Sequence, residues 1–269
     1  MKLWVLGSGS GGNAVLVECD GTRLLVDAGF GPRTLAARLK LTGVDPRSIE
    51  ACVVTHDHSD HVRGAARAAR RWGWKLYATA GTARCADLAE ARVTVFAAGD
   101  TLRFGRLEAE AVATPHDAAE PVGFVLTAVS TGARAGICYD VGCASDGVRA
   151  LCRELDILVL ETNHDEGMLW AGPYPPWLCQ RIASDTGHLS NRAAGEVARD
   201  TVTRRLAHLV LAHLSEKNNT PEIATRAMRS ALRGTRFRGQ MSAATQDGVV
   251  GPFAPRGARA ENPLQYALF

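Results

Sequence analysis

Three histidines and two aspartates lie within six consecutive positions of the segment Thr55–His61. Imidazole nitrogens and carboxylate oxygens are suitable ligands for zinc, manganese and iron. The spacing H-x-H-x-D-H lets His56 and His58 converge on one ion while Asp60 and His61 turn toward a second. The segment therefore predicts a metal site, in preference to a surface loop that is rich in histidine by chance.

The segment follows the apolar run Ala51–Val54, which predicts a buried strand. The metal-binding residues would then lie on the loop that leaves the carboxyl end of that strand. Because α/β proteins place ligands and catalytic groups on loops of this kind, the position supports the predicted chemistry.

The composition is that of an ordinary globular protein, with 269 residues of which 46% are hydrophobic and 22% charged. No apolar run approaches the roughly 20 residues of a membrane helix, and the first residues do not form a signal peptide. We therefore expect a cytoplasmic protein with no membrane partner. Seven cysteines without a CxxC pair predict reduced thiols, and a net charge of +3 does not by itself indicate binding to nucleic acid.

Strand and helix patterns alternate along the chain without a linker or repeat, which predicts one mixed domain over residues 1–255 and a partly mobile tail over residues 256–269. The predicted strands are Leu3–Leu6, Ala14–Cys19, Arg23–Val26, Ala51–Val54, Lys75–Ala78, Val93–Phe96, Leu107–Ala113, Val122–Val129, Arg134–Tyr139, Asp156–Leu160 and Leu206–Leu211. The predicted helices are Pro32–Leu41, His61–Trp72, one near Thr82–Glu90, one from Ser190 or Asn191 to Asp200, and one that begins at Pro221. A short Pro- and aromatic-rich loop is predicted over Gly172–Trp177.

The segment Thr55–His61 resembles the signature of the metallo-β-lactamase superfamily. This resemblance implies an α/β fold, a single-domain four-layer αββα sandwich, with two divalent metal ions bound between its sheets. Zinc is the first choice, and manganese or iron would also suit the ligands. The resemblance also implies that Asp27, at the end of a predicted strand, braces the metal-bearing loop through hydrogen bonds.

Three further residues complete the ligand set that the resemblance implies, and each follows a predicted strand. His116 would join His56 and His58 on the first ion. His213 would join Asp60 and His61 on the second ion, and Asp140 would bridge the two ions.

Glu161 and His188 distinguish this chain within the superfamily. They resemble a pair in ribonuclease-Z-like phosphodiesterases, where a glutamate orients a histidine of a later His-x-Ser/Thr motif, here His188-Leu189-Ser190. A protonated imidazole near the metals would assist the leaving group, with the carboxylate behind it. A surface role for His188 at the start of the following helix is the alternative.

The pattern over about residues 3–250 is most similar to the YycJ (WalJ)-like subgroup, regarded as metal-dependent exonucleases acting on DNA. It is carried by three segments, which are Glu161–Asp165, Asp185–Asn191 and Leu211–Asn219. The resemblance implies that a hydroxide bridging the two ions attacks phosphorus while Asp60 orients or deprotonates it. It also suggests His164 as a histidine that contacts the substrate.

Nucleic acid is the predicted partner, with DNA favoured over RNA, because neither a cap-domain insert nor a tRNA-binding arm is evident. The alternative is a small-molecule hydrolase of the same fold, either a glyoxalase-type thioesterase or a cyclic phosphodiesterase. The glycine-rich loop Gly7–Asn13 offers Ser10 and Asn13 as substrate contacts, or it serves only as a tight turn. Arg67, Arg70 and Arg71 share one face of a predicted helix, for which we favour a solvent-exposed role.

Overall fold

Two seven-stranded sheets form the centre of the computed structural model, which describes residues 1–86, 88 and 91–257. The predicted tail lies outside the described residues from position 258 onward, as does part of the predicted helix near Thr82–Glu90. The domain boundary at residue 255 stays a prediction.

The first sheet has the strand order β14-β1-β2-β3-β4-β5-β6. Its strands are β1 (Lys2–Gly7), β2 (Ala14–Cys19), β3 (Thr22–Val26), β4 (Ala51–Val53), β5 (Lys75–Thr79), β6 (Val93–Phe96) and β14 (Val250–Phe253). Strands β3 to β6 run parallel, so the carboxyl ends of β3 and β4 meet at one edge of the sheet.

The second sheet has the strand order β13-β12-β11-β10-β9-β8-β7. Its strands are β7 (Thr101–Phe104), β8 (Leu107–Ala113), β9 (Val122–Ala128), β10 (Arg134–Cys138), β11 (Ile157–Glu161), β12 (His208–Ala212) and β13 (Gln240–Ala243). Strands β10 to β13 run parallel. Three of these fourteen strands, β7, β13 and β14, were not predicted from the sequence.

Helices cover the outer faces of both sheets. In the described residues they are α1 (Pro32–Thr42), α2 (Ser59–Val62), α3 (Ala65–Trp72), α4 (Ala80–Cys85), α5 (Asp146–Leu151), α6 (Glu166–Ala171), α7 (Pro176–Ile182), α8 (Asn191–Thr201) and α9 (Pro221–Ala231), with a short 3₁₀ turn at Pro46–Ser48. The predicted loop over Gly172–Trp177 is wrong at its end, because Pro176 begins α7. Pro there fits the first helical position, where an N–H is not needed.

The single helix predicted over His61–Trp72 is also wrong, because the chain turns at Gly64 between α2 and α3. Gly64 N donates to Ala28 O at 2.8 Å. A Cβ at this position would lie 1.8 Å from Phe30 O. The glycine is therefore required where the chain packs against the backbone after β3.

Three apolar clusters fill the three interfaces between the four layers. Strand β1 shows how the sequence divides its side chains. Leu3 and Val5 point between the sheets, whereas Trp4 and Leu6 pack under the helices of the first sheet. A strand buried on both faces explains the nearly continuous apolar run. The predicted αββα sandwich is confirmed.

In the described part of the chain, no helix combines the length and the apolar character that a membrane crossing requires. All seven cysteines are described, and none forms a disulfide.

Candidate metal and active site

The seven predicted ligands come together at one edge of the two sheets. The four in the segment His56–His61 follow β4, His116 follows β8, Asp140 follows β10 and His213 follows β12. Two of them, Asp140 and His213, have positive φ values of 53° and 52°. Left-handed backbone is uncommon at residues with a side chain, so these two strand ends carry strain of the kind found at functional sites.

The first group consists of His56, His58 and His116. Their ligating nitrogens all lie within 4.8 Å of one another, and His116 Nε2 lies 3.2 Å from His58 Nδ1. His56 is 1% exposed, and its buried Nε2 has no hydrogen-bond partner among the described residues. Because a buried polar nitrogen without a partner costs free energy, this arrangement fits a cation contacted by all three rings.

The second group consists of Asp60, His61 and His213, whose ligand atoms meet the same distance limit. His61 Nε2 and His213 Nε2 lie 3.3 and 3.4 Å from Asp60 Oδ2. Asp140 lies between the groups. Its Oδ2 is 2.7 Å from His61 Nε2, its Oδ1 is 3.2 Å from His213 Nδ1, and it also clusters with His56.

Asp27 holds the metal-bearing loop from behind. It is fully buried, and Oδ1 accepts a hydrogen bond from the Thr55 backbone N–H at 2.8 Å. Its Oδ2 accepts from Thr55 Oγ1 at 2.8 Å and from the Tyr139 hydroxyl at 2.7 Å, and it lies 2.7 Å from His61 Nδ1. A carboxylate that accepts from Nδ1 directs Nε2 of the same ring toward an ion.

The electrostatics of the site also fit divalent cations. Burial raises the pKa of Asp60 and of Asp140, but His61 and His213 hold the pKa of both carboxyls well below its usual range. Burial lowers the pKa of His61, yet Asp140, Asp60 and Asp27 raise it well above its ordinary value. Clustered carboxylates thus hold a proton on the His61 ring, and a divalent cation can replace that proton because ligating imidazoles are neutral.

His188 and Glu161 lie directly beside the predicted ligands. His188 Nδ1 is 2.8 Å from Glu161 Oε1 and 3.3 Å from Asp140 Oδ1. Glu161 is fully buried, and its Oε2 accepts hydrogen bonds from the backbone N–H groups of Val141 and Leu189. With Nδ1 of His188 held in this way, Nε2 is the nitrogen that can serve a substrate.

His188 and Glu161 carry opposite charges in the fold. Burial opposes protonation of His188, but Glu161 and Asp140 raise the pKa of His188 well above its ordinary value. Burial likewise opposes ionisation of Glu161, yet His188 and His213 lower the pKa of Glu161 to about 2. In the metal-free protein the pair is therefore an imidazolium against a carboxylate, which is the form that can donate a proton.

The residues predicted to contact a substrate occupy three different places. Ser10 lines a cavity of about 290 Å³ that also exposes His58, Asp60 and His188. Asn13 is fully buried behind the ligands, where Nδ2 donates to Asp60 Oδ2 at 3.2 Å. Its position is that of a support for the ligands and not of a substrate contact. His164 lines a separate cavity on the other side of His188.

Several site residues were not singled out from the sequence. Tyr139 supports Asp27, and Tyr174 lines the metal-facing cavity beside Asp117 and Arg181, which form an ion pair of 2.6 Å. Tyr139 and Asp117 directly follow or precede predicted ligands in the sequence, which was an available signal. Arg181 reaches the metal-facing cavity only through tertiary packing.

Comparison with known proteins identifies the family. The family model described as the β-lactamase superfamily domain matches residues 22–213. The chain belongs to the metallo-β-lactamase superfamily. This chain is 33% identical to the exodeoxyribonuclease YycJ of Bacillus anthracis. The similarity extends over 238 residues, which cover 87% of this chain and 89% of that protein.

Two other proteins extend the comparison. Ribonuclease Z of Streptomyces avermitilis is 32% identical over 99 residues, which cover 37% of this chain and 27% of that protein. The crystal structure of the metallo-β-lactamase fold protein YhfI of Bacillus subtilis has a TM-score of 0.67 at 17% identity, and it covers 93% of this chain and 98% of that chain. The chain is therefore a metal-dependent hydrolase of this superfamily.

Proposed function

We propose that the protein is a phosphodiesterase that removes nucleotides from the ends of DNA. The observation that carries this proposal is the ion pair between His188 and buried Glu161, set against a cluster of seven metal ligands. The similarity to an exodeoxyribonuclease over most of both chains supports DNA as the substrate. The partial similarity to ribonuclease Z makes RNA an outcome that the test must separate.

The site would hold two divalent cations, zinc in the first place. His56, His58 and His116 would hold one, Asp60, His61 and His213 the other, and Asp140 would contact both. When bound, such a pair lowers the pKa of water and stabilises the attacking and leaving oxygens of a phosphodiester. Manganese or iron would suit the same nitrogen and oxygen ligands.

Four side chains have separate roles in the proposed hydrolysis. Asp60 orients the attacking water and accepts its proton through the carboxylate oxygen that does not face His61 and His213. As the new P–O bond forms, the bond to the leaving oxygen breaks, and His188 Nε2 donates its proton to that oxygen. Glu161 keeps the ring oriented and holds the proton on Nδ1 while Nε2 gives up its own. Ser10 contacts the substrate from the wall of the cavity.

The charge distribution supports a nucleic acid substrate. Residues 28–44 and 61–86 contain nine Arg or Lys residues and no Asp or Glu, while the whole chain has a net charge of only +3, so the rest carries −6. These segments contain α1, α3 and α4 on the outer side of the first sheet. Arg63 donates to Gly29 O and Gly11 O, and Gly11 follows Ser10. The basic surface thus continues to the edge of the metal-facing cavity.

A small-molecule hydrolase, either a glyoxalase-type thioesterase or a cyclic phosphodiesterase, is the second candidate. The size of the metal-facing cavity, about 290 Å³, favours it, because this volume is near the lower end for small-molecule sites. The predicted cytoplasmic location suits either candidate and stays a prediction.

The test compares end-labelled duplex DNA, single-stranded RNA, a glutathione thioester and a bis-aryl phosphodiester as substrates of the metal-loaded protein. We expect stepwise shortening of the DNA and slower hydrolysis of the aryl ester. Asp140→Ala should abolish both, and His188→Ala should slow DNA hydrolysis by about 10²- to 10⁴-fold. Thioester hydrolysis without DNA cleavage would establish the second candidate, and an Asp140→Ala protein that keeps its activity would disprove the metal-dependent mechanism.

A further inference from the structure

A second cavity, the side chamber, adjoins the metal-facing cavity. Its volume is about 280 Å³, and His188 lines both cavities. The residues that matter for its chemistry are His164, Glu166, Trp170, Asp185, Ser190 and Arg192. Because one imidazole forms a wall of both cavities, a molecule that reacts at the metals beside His188 can extend into the side chamber.

The side chamber offers one flat apolar surface. Trp170, on α6, is one of the few large apolar side chains exposed in the described residues, with 58% of its surface accessible. An exposed indole beside a reaction site is a surface on which a planar ring can stack.

The polar groups of the chamber suit a neutral ring and not an anion. Two cationic side chains line it, and both are already paired. Arg192 contacts Glu166 at 3.1 Å and Glu196 at 2.7 Å, and His188 contacts Glu161 at 2.8 Å. Glu166, Glu196 and Asp185 make the lining acidic. A phosphate would be repelled here, whereas the amino groups of a nucleobase would find acceptors.

His164 adds a donor or acceptor that is free to bind. The residue is 98% buried from solvent, and its Nδ1 lies 3.4 Å from Asn163 Oδ1. Over residues 1–86, 88 and 91–257, no hydrogen bond is made by His164 Nε2. Because this nitrogen is not one of the fully buried atoms without a partner, it is accessible, and the ring can offer it to a polar ligand in the cavity that it lines.

We propose that the side chamber binds the nucleobase of the nucleotide on the leaving-group side of the bond that is cut, with Trp170 stacking on the base and His164 contacting its polar edge. This proposal rests on the proposed nuclease activity. The position follows from His188, whose Nε2 serves the leaving oxygen while the same ring borders the chamber. The base is held by its π-face, so binding tolerates all four bases.

Trp177 provides a matched control. It lies on α7, seven residues after Trp170, and is 66% exposed, but it does not line the side chamber. Truncation of either tryptophan removes the same exposed indole from neighbouring helices. A difference between the two variants therefore reports on the chamber and not on surface hydrophobicity.

The kinetic test compares the parent with Trp170→Ala, Trp170→Phe and Trp177→Ala. Each protein is given a DNA strand with an intact end, and the same strand without the base of the nucleotide on the leaving-group side of the bond that is cut. We expect Trp170→Ala to lose roughly 10-fold in kcat/KM on the intact strand. The same variant should match the parent on the abasic strand, which has no ring to place on Trp170. Trp170→Phe should restore most of the loss, and Trp177→Ala should stay within twofold of the parent. Equal losses for both alanine variants, or an equal loss on the abasic strand, would overturn the proposal.

A binding test separates this proposal from the nuclease assignment. Deoxyadenosine monophosphate is titrated into each protein, and the quenching of tryptophan fluorescence is measured. Saturable quenching that Trp170→Ala abolishes and Trp177→Ala retains would support the chamber even if no DNA were cleaved. Unchanged quenching in Trp170→Ala, or none in the parent, would refute it.

Discussion

At the scale of single residues, Glu161 connects the two halves of the proposed chemistry. Its Oε1 lies 2.8 Å from His188 Nδ1 and 3.1 Å from His213 Nδ1. One buried carboxylate therefore fixes both the proposed proton donor and a predicted metal ligand. This arrangement explains why an acidic group is retained in a fully buried position, since its charge is compensated by two imidazoles.

The same residue gives the metal-free protein a defined acid sensitivity. The pKa of Glu161 is about 2 in the fold, below its ordinary value of 4.5. Its ionised form therefore stabilises the fold, and this contribution is fully present above pH 4.5. It is lost as the pH falls toward 2. Glu161→Gln removes this contribution. We expect the free energy of unfolding of the parent to fall more steeply between pH 5 and pH 3 than that of the variant, by up to about 2 kcal/mol.

Urea unfolding of both metal-free proteins at several pH values would measure this difference. Glu50→Gln is a suitable control, because Glu50 is exposed and precedes β4, at the opposite end of that strand from the ligands. Parallel curves for the parent and Glu161→Gln would contradict the assigned charge of Glu161.

At the scale of elements, strand ends place the ligands and glycines allow the loops to approach one another. Gly64 ends the short turn that carries Asp60 and His61 and packs against the backbone after β3. Gly64→Ala should destabilise the protein by about 2 to 4 kcal/mol, because the added Cβ would force this backbone apart. Gly31→Ala, where no atom lies within 4 Å of the new Cβ, should cost less than about 1 kcal/mol.

Thermal unfolding of both variants would measure these effects, with metal content determined alongside. We expect Gly64→Ala also to bind less metal, since His61 moves with the turn. A Gly64→Ala protein as stable as Gly31→Ala would show that this contact is not required.

The sequence predicted the elements that carry their own local signal. The segment Thr55–His61 and the strands before His116, Asp140 and His213 were recognisable because apolar runs end in polar turns. Strands β7, β13 and β14 were missed because they are short and contain polar residues or proline, so their pairing with neighbours decides their conformation. The break at Gly64 and the side chamber were also beyond local patterns, since both depend on contacts between distant segments.

At the scale of the whole molecule, residues 28–44 and 61–86, with nine basic and no acidic side chains, give the protein a basic side. Such a surface attracts the phosphates of a nucleic acid, and its contribution falls as salt rises. The arginine face of α3 lies within this basic side. From the sequence we favoured a solvent-exposed role for it. Arg63, just before α3, connects this side to the glycine-rich loop through its hydrogen bond to Gly11 O.

The double variant Arg67→Ala/Arg71→Ala should weaken DNA binding by about 10-fold at 0.1 M salt and reduce the slope of log K against log[salt] by about two. Hydrolysis of the bis-aryl phosphodiester should not change. The control, Arg229→Ala/Arg233→Ala, removes the same charge from a cavity at α9 and just beyond its end and should leave DNA binding within twofold. Equal losses in the two double variants would mean that net charge alone is responsible.

During synthesis, the first sheet cannot be completed until the last strand that the structure describes has left the ribosome. Strand β14 is the neighbour of β1, and Ser8, just after β1, accepts a hydrogen bond from His213 N and donates one to Thr245 O. A nascent chain that has released β1 to β6 from the ribosome still exposes the edge of β1 and lacks His116, Asp140 and His213. Open edges of this kind invite pairing with other chains. The metal-binding loop is thus made early but becomes a site only when almost the whole chain has emerged.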